Sequence, residues 1–283
     1  MAFHYAGFAD EASKSLSEQI AATKKVGWDA IEVRLCADKN FCDLSDEEFR
    51  SACEQLQSEG IRIAGFGSQI ANWSRSIDKN LQDDIDELKR SVPRMHETGA
   101  KVIRCMSYPN SKPPLPRDEW KEEVFRRMSE LAKIAEDGGV VLGHENCSGY
   151  GGEGPEESLE LLERVDNDAF KLIFDTGNQP HNGDMNLWDF YDRVKDHVVH
   201  VHVKATREAD GIRKVCYPDE DSDDAPRRIL QDLKRRDYDG WVSIEPHLAA
   251  QVHAGKDVED VQAATEIYVE YGRRLMKIVD ELE

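Results

Sequence analysis

Residues 101–145 read KVIRCMSYPNSKPPLPRDEWKEEVFRRMSELAKIAEDGGVVLGHE, with a short apolar run at each end. The runs Lys101–Met106 and Val140–Glu145 are rich in β-branched residues, which is typical of buried strands. Between them, Glu119–Asp137 has helical periodicity and ends at Gly138-Gly139, where a left-handed cap favours glycine. A strand, a helix and a strand in this order predict two parallel strands joined by a right-handed crossover.

The same alternation continues along the 283 residues. The predicted strands are Tyr5–Phe8, Ala30–Leu35, Arg62–Gly67, Lys101–Met106, Val140–Glu145, Lys171–Phe174, Val198–Val203 and Trp241–Glu245. The predicted helices are Leu16–Lys25, Ser45–Ser58, Asp78–Thr98, Glu119–Asp137, Glu156–Val165, Leu187–Lys195, Ala225–Arg236 and Asp257–Leu282. Eight such units predict the α/β class and a (β/α)8 TIM barrel, with residues 1–283 forming a single domain.

Charge and composition exclude several classes of partner. The chain has 37 Lys+Arg and 57 Asp+Glu, a net charge of −20, whereas nucleic-acid binding needs clustered cations. Its apolar runs are too short to span a membrane, and Met1–Tyr5 lacks the pattern of a signal peptide, so we expect a cytoplasmic protein. Six cysteines without a C-x-x-C pair predict reduced thiols. The sequence leaves a homo-oligomer open.

Polar residues end four consecutive strands, and in this fold those ends form the active face. They are Glu145 after strand 5, Asp175 after strand 6, His202 on strand 7 and Glu245 after strand 8. Three carboxylates converging there would repel one another unless a cation lay between them. Three oxygen ligands and one nitrogen, without a thiolate, favour Mn²⁺ and also suit Mg²⁺ or Co²⁺, with Zn²⁺ left open. The alternative is that each acid is separately solvated at its strand end or satisfies the N-terminus of a neighbouring helix.

Three histidines on these strands have different expected positions. His200 and His202 point to the same side of their strand, because side chains alternate with a period of two. Only His202, nearer the carboxyl end, should reach the active face, which leaves His200 in the barrel interior. His144 should face away from Glu145 and pack under a helix.

The four strand ends resemble a known superfamily. The segments His144–Asn146, Phe174–Asn178, His200–Lys204 and Ser243–His247 are similar to those of the sugar phosphate isomerase/epimerase superfamily with a xylose isomerase-like barrel. Its members include ketose 3-epimerases, hydroxypyruvate isomerases, inosose dehydratases and, more distantly, endonuclease IV. The resemblance covers essentially the whole chain and implies the same four metal ligands.

The resemblance also implies a reaction. The metal would bind a substrate carbonyl and stabilise an enediolate, while Glu145 and Glu245 remove and return a proton α to that carbonyl. The expected activity is isomerisation or epimerisation of a small keto-sugar or polyol derivative, a small-molecule carbohydrate. The alternative is a lyase, either a keto-polyol dehydratase or a β-eliminating 3-keto-glycoside enzyme, because the same chemistry ends in elimination when a leaving group lies β to the carbonyl.

Other polar residues near the strand tips are candidate substrate ligands. Many epimerases of the superfamily have a histidine where this chain has Asn178, which can hydrogen-bond a hydroxyl but cannot shuttle protons near neutral pH. The remaining candidates are Arg34, Lys204, Arg207 and His247. For each of these four, a surface ion pair or a solvated side chain is the alternative.

Two further segments could be mistaken for functional motifs. Gly149–Gly154 matches G-x-G-x-x-G, but the acidic residues that follow would repel a pyrophosphate, so we expect a mobile loop and no nucleotide cofactor. The acidic run Asp219–Asp224 should be solvated on the active face and disfavour a phosphorylated substrate. A nuclease of the endonuclease IV type would need additional histidine ligands at the ends of strands 3 and 4, where this chain has Gly67–Gln69 and Met106–Tyr108. A barrel that binds a sugar without turnover remains the non-enzyme alternative.

Overall fold

The computed structural model describes residues 3–178, 186–249 and 260–282. Eight strands carry the labels β1 to β8 in chain order. They are β1 His4–Gly7, β2 Ala30–Val33, β3 Arg62–Phe66, β4 Val102–Ser107, β5 Val141–Gly149, β6 Phe170–Asp175, β7 Val198–Val203 and β8 Trp241–Ile244. They form one sheet in the order β1-β8-β7-β6-β5-β4-β3-β2. This order confirms the predicted (β/α)8 barrel.

Pairing along the sheet is parallel where its register is defined. In β1 and β8, His4 lies opposite Trp241 and Gly7 opposite Ile244. The pairs β4–β5 and β5–β6 are also parallel, and the β4–β5 register shifts between Cys105 and Ser107. Parallel strands bring their carboxyl ends to the same edge, as the choice of candidate residues requires.

Each of the eight helices in the described residues follows a barrel strand. They are α1 Leu16–Val26, α2 Asp46–Ser58, α3 Leu81–Thr98, α4 Arg117–Asp137, α5 Pro155–Val165, α6 Leu187–Val194, α7 Ala225–Arg235 and α8 Val261–Asp280. Their ends differ from the predicted ones by a few residues, and residues 257–259 of the predicted last helix lie outside the described residues. Glycine ends α1 and α3 in the left-handed conformation, with φ +103° at Gly27 and +75° at Gly99. No helix in the described ranges is long and apolar enough to cross a membrane.

Contacts between Cα atoms group the residues into two compact units. Unit one comprises residues 1–64, 175–177 and 201–283, and unit two comprises residues 65–174 and 178–200. In unit one, the buried side chains of Ala6, Ala30 and Ala64 cluster, and Trp241 packs against them. In unit two, α4 packs against α3, α5 and β5. The single-domain organisation stays a prediction.

Two short antiparallel hairpins extend beyond the barrel strands and were not predicted. One pairs Leu35–Cys36 with Lys39–Asn40. The other pairs Ala205–Ala209 with Ile212–Cys216, directly after β7. We call the second one the outer hairpin. Its exposed polar residues are Arg207, Glu208, Arg213 and Lys214, and neither strand has the apolar alternation by which a half-buried strand is recognised.

Ser45 begins α2 with the capping box that its spacing from Glu48 predicts. The Ser45 hydroxyl accepts from the Glu48 N–H at 3.2 Å, and the Glu48 carboxylate accepts from the Ser45 N–H at 2.8 Å. We expect Ser45→Ala to lower the free energy of unfolding by about 1 kcal/mol, measured by urea denaturation. Ser58→Ala at the other end of α2 is the control and should change it by less than about 0.5 kcal/mol. Equal effects of the two substitutions would contradict a specific role for the cap.

Candidate metal centre and active site

Three of the four predicted metal ligands come together in unit one. Asp175 ends β6, His202 lies on β7 and Glu245 follows β8, and all three are at most 3% exposed. Their potential ligand atoms lie within 4.8 Å of one another. The backbone fixes this alignment, because the Thr176 N–H donates to the His202 carbonyl at 3.0 Å and the Glu245 N–H to the Val203 carbonyl at 3.1 Å.

Lys204 lies among these side chains. Its Nζ is 2.7 Å from Oδ2 of Asp175 and 3.0 Å from Oε2 of Glu245. Burial alone would raise the pKa of the Glu245 carboxyl, but the surrounding positive charges, with Lys204 foremost, hold that pKa well below its usual range. Glu245 is therefore ionised at neutral pH. The predicted contact of Lys204 with substrate stays a prediction.

Arg34 holds the other oxygen of Glu245. Its Nη1 is 2.7 Å from Oε1 of Glu245, while Nε and Nη2 pair with the two oxygens of Asp10 at 2.8 and 3.1 Å. Nη2 also lies 3.3 Å from Glu11, and the guanidinium stacks over the ring of Phe8 at 4.2 Å. Arg34 is 6% exposed, so it forms a buried ion pair rather than the surface pair considered from the sequence. These contacts fix the orientation of Glu245.

His247 sits on a strained backbone that Glu11 holds in place. Its φ is +54°, which is uncommon for a residue with a side chain. The His247 N–H donates to Oε2 of Glu11 at 2.6 Å, and its Nδ1 lies 2.9 Å from Oε1 of the same carboxylate. The remaining ring nitrogen is 3.6 Å from Oε1 of Glu245. Glu11 thus aims His247 at a predicted metal ligand.

Glu32 on β2 orients His202. The Nε2 atom of His202 lies 3.1 and 3.2 Å from the two oxygens of Glu32, and Glu32 is 1% exposed. A buried carboxylate bonded to one ring nitrogen is the arrangement that commonly fixes a metal-binding imidazole. Sequence reasoning assigned no role to Glu11 or Glu32. The position of Glu32 within the apolar run of β2, and that of Glu11 in the 3-10 turn that follows β1, are the signals that could have identified them.

Glu145, the fourth predicted ligand, is described within unit two. It lies on β5, is 1% exposed, and has Oε2 at 3.3 Å from Nη1 of Arg104. Asn178 donates from Nδ2 to Oε1 of Glu145 at 3.1 Å, and Asn146 donates to the Asn178 carbonyl at 3.2 Å. Asn178 therefore contacts a predicted catalytic carboxylate. Arg104, on β4, was not identified from the sequence.

His144 and His200, which were expected away from the active face, are both fully buried. The placement of His200 in the barrel interior stays a prediction. The Nε2 atom of His144 is 3.0 Å from the Ser107 hydroxyl, and its ring lies against the turn that precedes α5. Burial lowers the pKa of His144 to about 4, so it is neutral near pH 7.

Arg207 lies on the outer hairpin, where its side chain is 53% exposed and pairs with Glu220 at 3.2 Å. No residue of the neighbouring acidic run is buried, and Asp219, Ser222 and Asp224 are exposed, as expected of a solvated run. Two of its charges are partly neutralised, because Arg274 of α8 lies 3.1 Å from Asp219 and 3.3 Å from Glu220. The substrate role of Arg207 stays a prediction.

The glycine-rich segment after β5 is a buried turn, and the expectation of a mobile loop was wrong. Tyr150–Gly152 form a 3-10 turn and are all buried. A Cβ atom at Gly151 would lie 2.7 Å from Leu161 and 2.8 Å from His144, and one at Gly152 would lie 2.7 Å from the Cys147 carbonyl. These glycines allow close packing between β5 and α5.

Comparison with known proteins identifies the family. The family model described as xylose isomerase-like TIM barrel matches residues 20–267. The chain therefore belongs to this family, which confirms the resemblance seen in the four strand ends.

The similar proteins include enzymes with different reactions. An inosose dehydratase of Glaesserella parasuis serovar 5 (strain SH0165) is 25% identical over 209 residues, covering 63% of this chain and 70% of that protein. An inosose isomerase of Bacillus velezensis (strain DSM 23117) is 23% identical over 257 residues, covering 88% and 84%. The related enzymes thus include a dehydratase and an isomerase.

Two solved structures share the fold. D-psicose 3-epimerase with D-tagatose from Clostridium cellulolyticum H10 has a TM-score of 0.73 at 14% identity, covering 99% of both chains. A xylose isomerase-like TIM barrel protein from Mycobacterium smegmatis in complex with magnesium has a TM-score of 0.67 at 16% identity, covering 98% of this chain and 97% of that one.

Proposed function

We propose that this protein is a divalent-metal-dependent isomerase or epimerase that removes a proton α to a carbonyl of a small keto-sugar or polyol derivative. The observation that carries the proposal is the buried cluster formed by the side chains of Asp175, His202 and Glu245. Their donor atoms are those that divalent metals take in proteins. The relatives named as inosose dehydratase and inosose isomerase support a carbohydrate substrate.

The charge balance of unit one fits a metal. Unit one has five buried carboxylates in and around the proposed metal ligands, namely Asp10, Glu11, Glu32, Asp175 and Glu245. Arg34 and Lys204 offset two of these charges. A buried carboxylate without compensation is costly, and a divalent cation would offset two more.

Four side chains would hold the metal. Asp175, His202 and Glu245 would be joined by Glu145, because the carboxyl ends of β5 to β8 are consecutive in this fold. Since Glu32 contacts Nε2 of His202, Nδ1 is the nitrogen we assign to the metal. Mn²⁺ suits three oxygens and one nitrogen, and the magnesium complex of the Mycobacterium smegmatis protein supports a hard divalent ion. When bound, the metal would supply positive charge beside the substrate carbonyl.

Two carboxylates would move the proton. Glu145 and Glu245 would act on opposite sides of the substrate, one removing a proton and the other returning it. Asn178 donates to Glu145 and would keep that carboxylate turned to the substrate. Arg34, which contacts Glu245 at 2.7 Å, would do the same for that carboxylate.

A lyase is the second candidate, and the specific support for it is the similarity to the inosose dehydratase of Glaesserella parasuis. Proton removal at the same position leads to loss of water or of an aglycone when a leaving group lies β to the carbonyl. The two candidates share their first step and differ in the product.

The test is a substrate screen in D₂O followed by NMR, with ketoses, inososes and 3-keto-glycosides incubated with Mn²⁺. We expect deuterium uptake α to the carbonyl of at least one substrate. Epimer or isomer formation would identify the isomerase class, and loss of water or aglycone the lyase. EDTA should abolish exchange, and renewed Mn²⁺ should restore it. Absence of exchange with every substrate would favour a binding protein, and exchange that survives EDTA would overturn the metal dependence.

A further inference from the structure

Lys204 is a buried ammonium that contacts two of the proposed metal ligands at once. Its side chain is 8% exposed, and Nζ is 2.7 Å from Asp175 and 3.0 Å from Glu245. A lysine is seldom buried without such partners, since desolvating its charge is expensive. The two carboxylates therefore share one fixed positive charge in addition to that of Arg34 on Glu245.

Thr176 and Gly177, directly after β6, pack against this lysine. The Thr176 hydroxyl accepts from the Lys204 N–H at 3.2 Å and donates to the Lys204 carbonyl at 3.1 Å. A Cβ atom at Gly177 would lie 2.6 Å from Cγ and 2.7 Å from Cβ of Lys204. A glycine at position 177 thus leaves room for the lysine stem, and the position of Lys204 is set by its backbone as well as by its charge.

We propose that Lys204 is a resident counter-charge of the metal site, which holds Asp175 and Glu245 together and opposes the divalent ion that the same carboxylates bind. The inference rests on the proposed function. Like charges that share the same oxygen partners repel one another, and the repulsion is strong in a buried, poorly screened site. Lys204 would therefore stabilise the protein when metal is scarce and keep the bound metal exchangeable.

The experiment compares Mn²⁺ binding by calorimetry in the full-length wild-type protein and its variants. Lys204→Met removes the charge at similar length, and we expect it to bind Mn²⁺ at least tenfold more tightly, equivalent to about 1.4 kcal/mol. Its melting temperature in EDTA should fall below that of the wild type, because Asp175 and Glu245 lose a shared partner, and Mn²⁺ should reverse the loss. Lys204→Arg keeps the charge and should stay within about threefold of the wild-type affinity. Lys133→Met, on the exposed face of α4, is the matched control and should change neither value.

The outcomes separate the two proposals. If the wild type binds Mn²⁺ and Lys204→Met binds it no more tightly, the counter-charge role is overturned and the metal site stands. If neither the wild type nor any variant binds Mn²⁺, both proposals are overturned. Should Lys204→Met fail to fold, Lys204→Gln, which retains hydrogen-bond donors without the charge, makes the same comparison.

Discussion

Replacing Glu145 or Glu245 with glutamine should lower kcat by about 10³-fold or more on the substrate found in the D₂O screen. An amide cannot accept the proton that a carboxylate removes, and a positioned general base contributes roughly 10²–10⁴-fold by itself. Weaker metal ligation should add to the loss, since an amide is neutral. The measurement is steady-state kinetics with saturating Mn²⁺, together with thermal unfolding to show that the fold is kept.

Glu54→Gln is the matched control for these two variants. Glu54 lies on α2 with an exposed side chain, so kcat should stay within a factor of two. Near-full activity in both Glu145→Gln and Glu245→Gln would overturn their assignment as proton-transfer residues. Loss in only one would point to a single base and leave the other carboxylate as a metal ligand.

The second large effect concerns stability and is expected at Gly149→Ala. Gly149 has φ +91°, and a Cβ atom there would lie 2.2 Å from the carbonyl carbon of Ser107 and 2.7 Å from the Tyr108 nitrogen. Both atoms belong to the backbone, so they cannot move aside as a side chain could. We expect a loss of at least about 3 kcal/mol in the free energy of unfolding, combining left-handed strain with overpacking. Urea denaturation measures it.

Gly60→Ala is the control that separates these two causes. Gly60 has φ +69°, and among the described residues no atom would lie within 4 Å of a Cβ at this position. Gly60→Ala should therefore lower the free energy of unfolding only by the cost of the left-handed conformation, about 1 kcal/mol. Equal losses at the two positions would show that the close approach of Ser107 has no cost of its own.

Local pattern accounts for what could be predicted of the fold. Helices such as Arg117–Asp137 are recognisable by apolar spacing and a terminal glycine, and strands such as Val198–Val203 by their β-branched residues. The outer hairpin was not predicted because neither of its strands has an apolar alternation to recognise. The buried turn at Tyr150 was not predicted because glycines in a sequence usually indicate a flexible loop. In the fold, these glycines allow close packing instead.

The site was predictable only where a strand end carries a chemical group. Asp175, His202 and Glu245 could be selected because consecutive strands of a parallel sheet end at one edge. The pairing of each ligand with its supporting residue could not be predicted, since Glu32 is 170 residues from His202 in the chain and Arg34 is 211 residues from Glu245. Such pairs are formed by strand order and depend on no local pattern.

Thr176 and Gly177 fit the backbone of residue 204 and the base of its side chain. A side chain larger than hydrogen at position 177 would collide with the lysine stem, and loss of the Thr176 hydroxyl would remove two backbone contacts of residue 204. A graft of this site onto another barrel should therefore carry residues 175–177, at the end of β6, and residue 204, directly after β7, as one block.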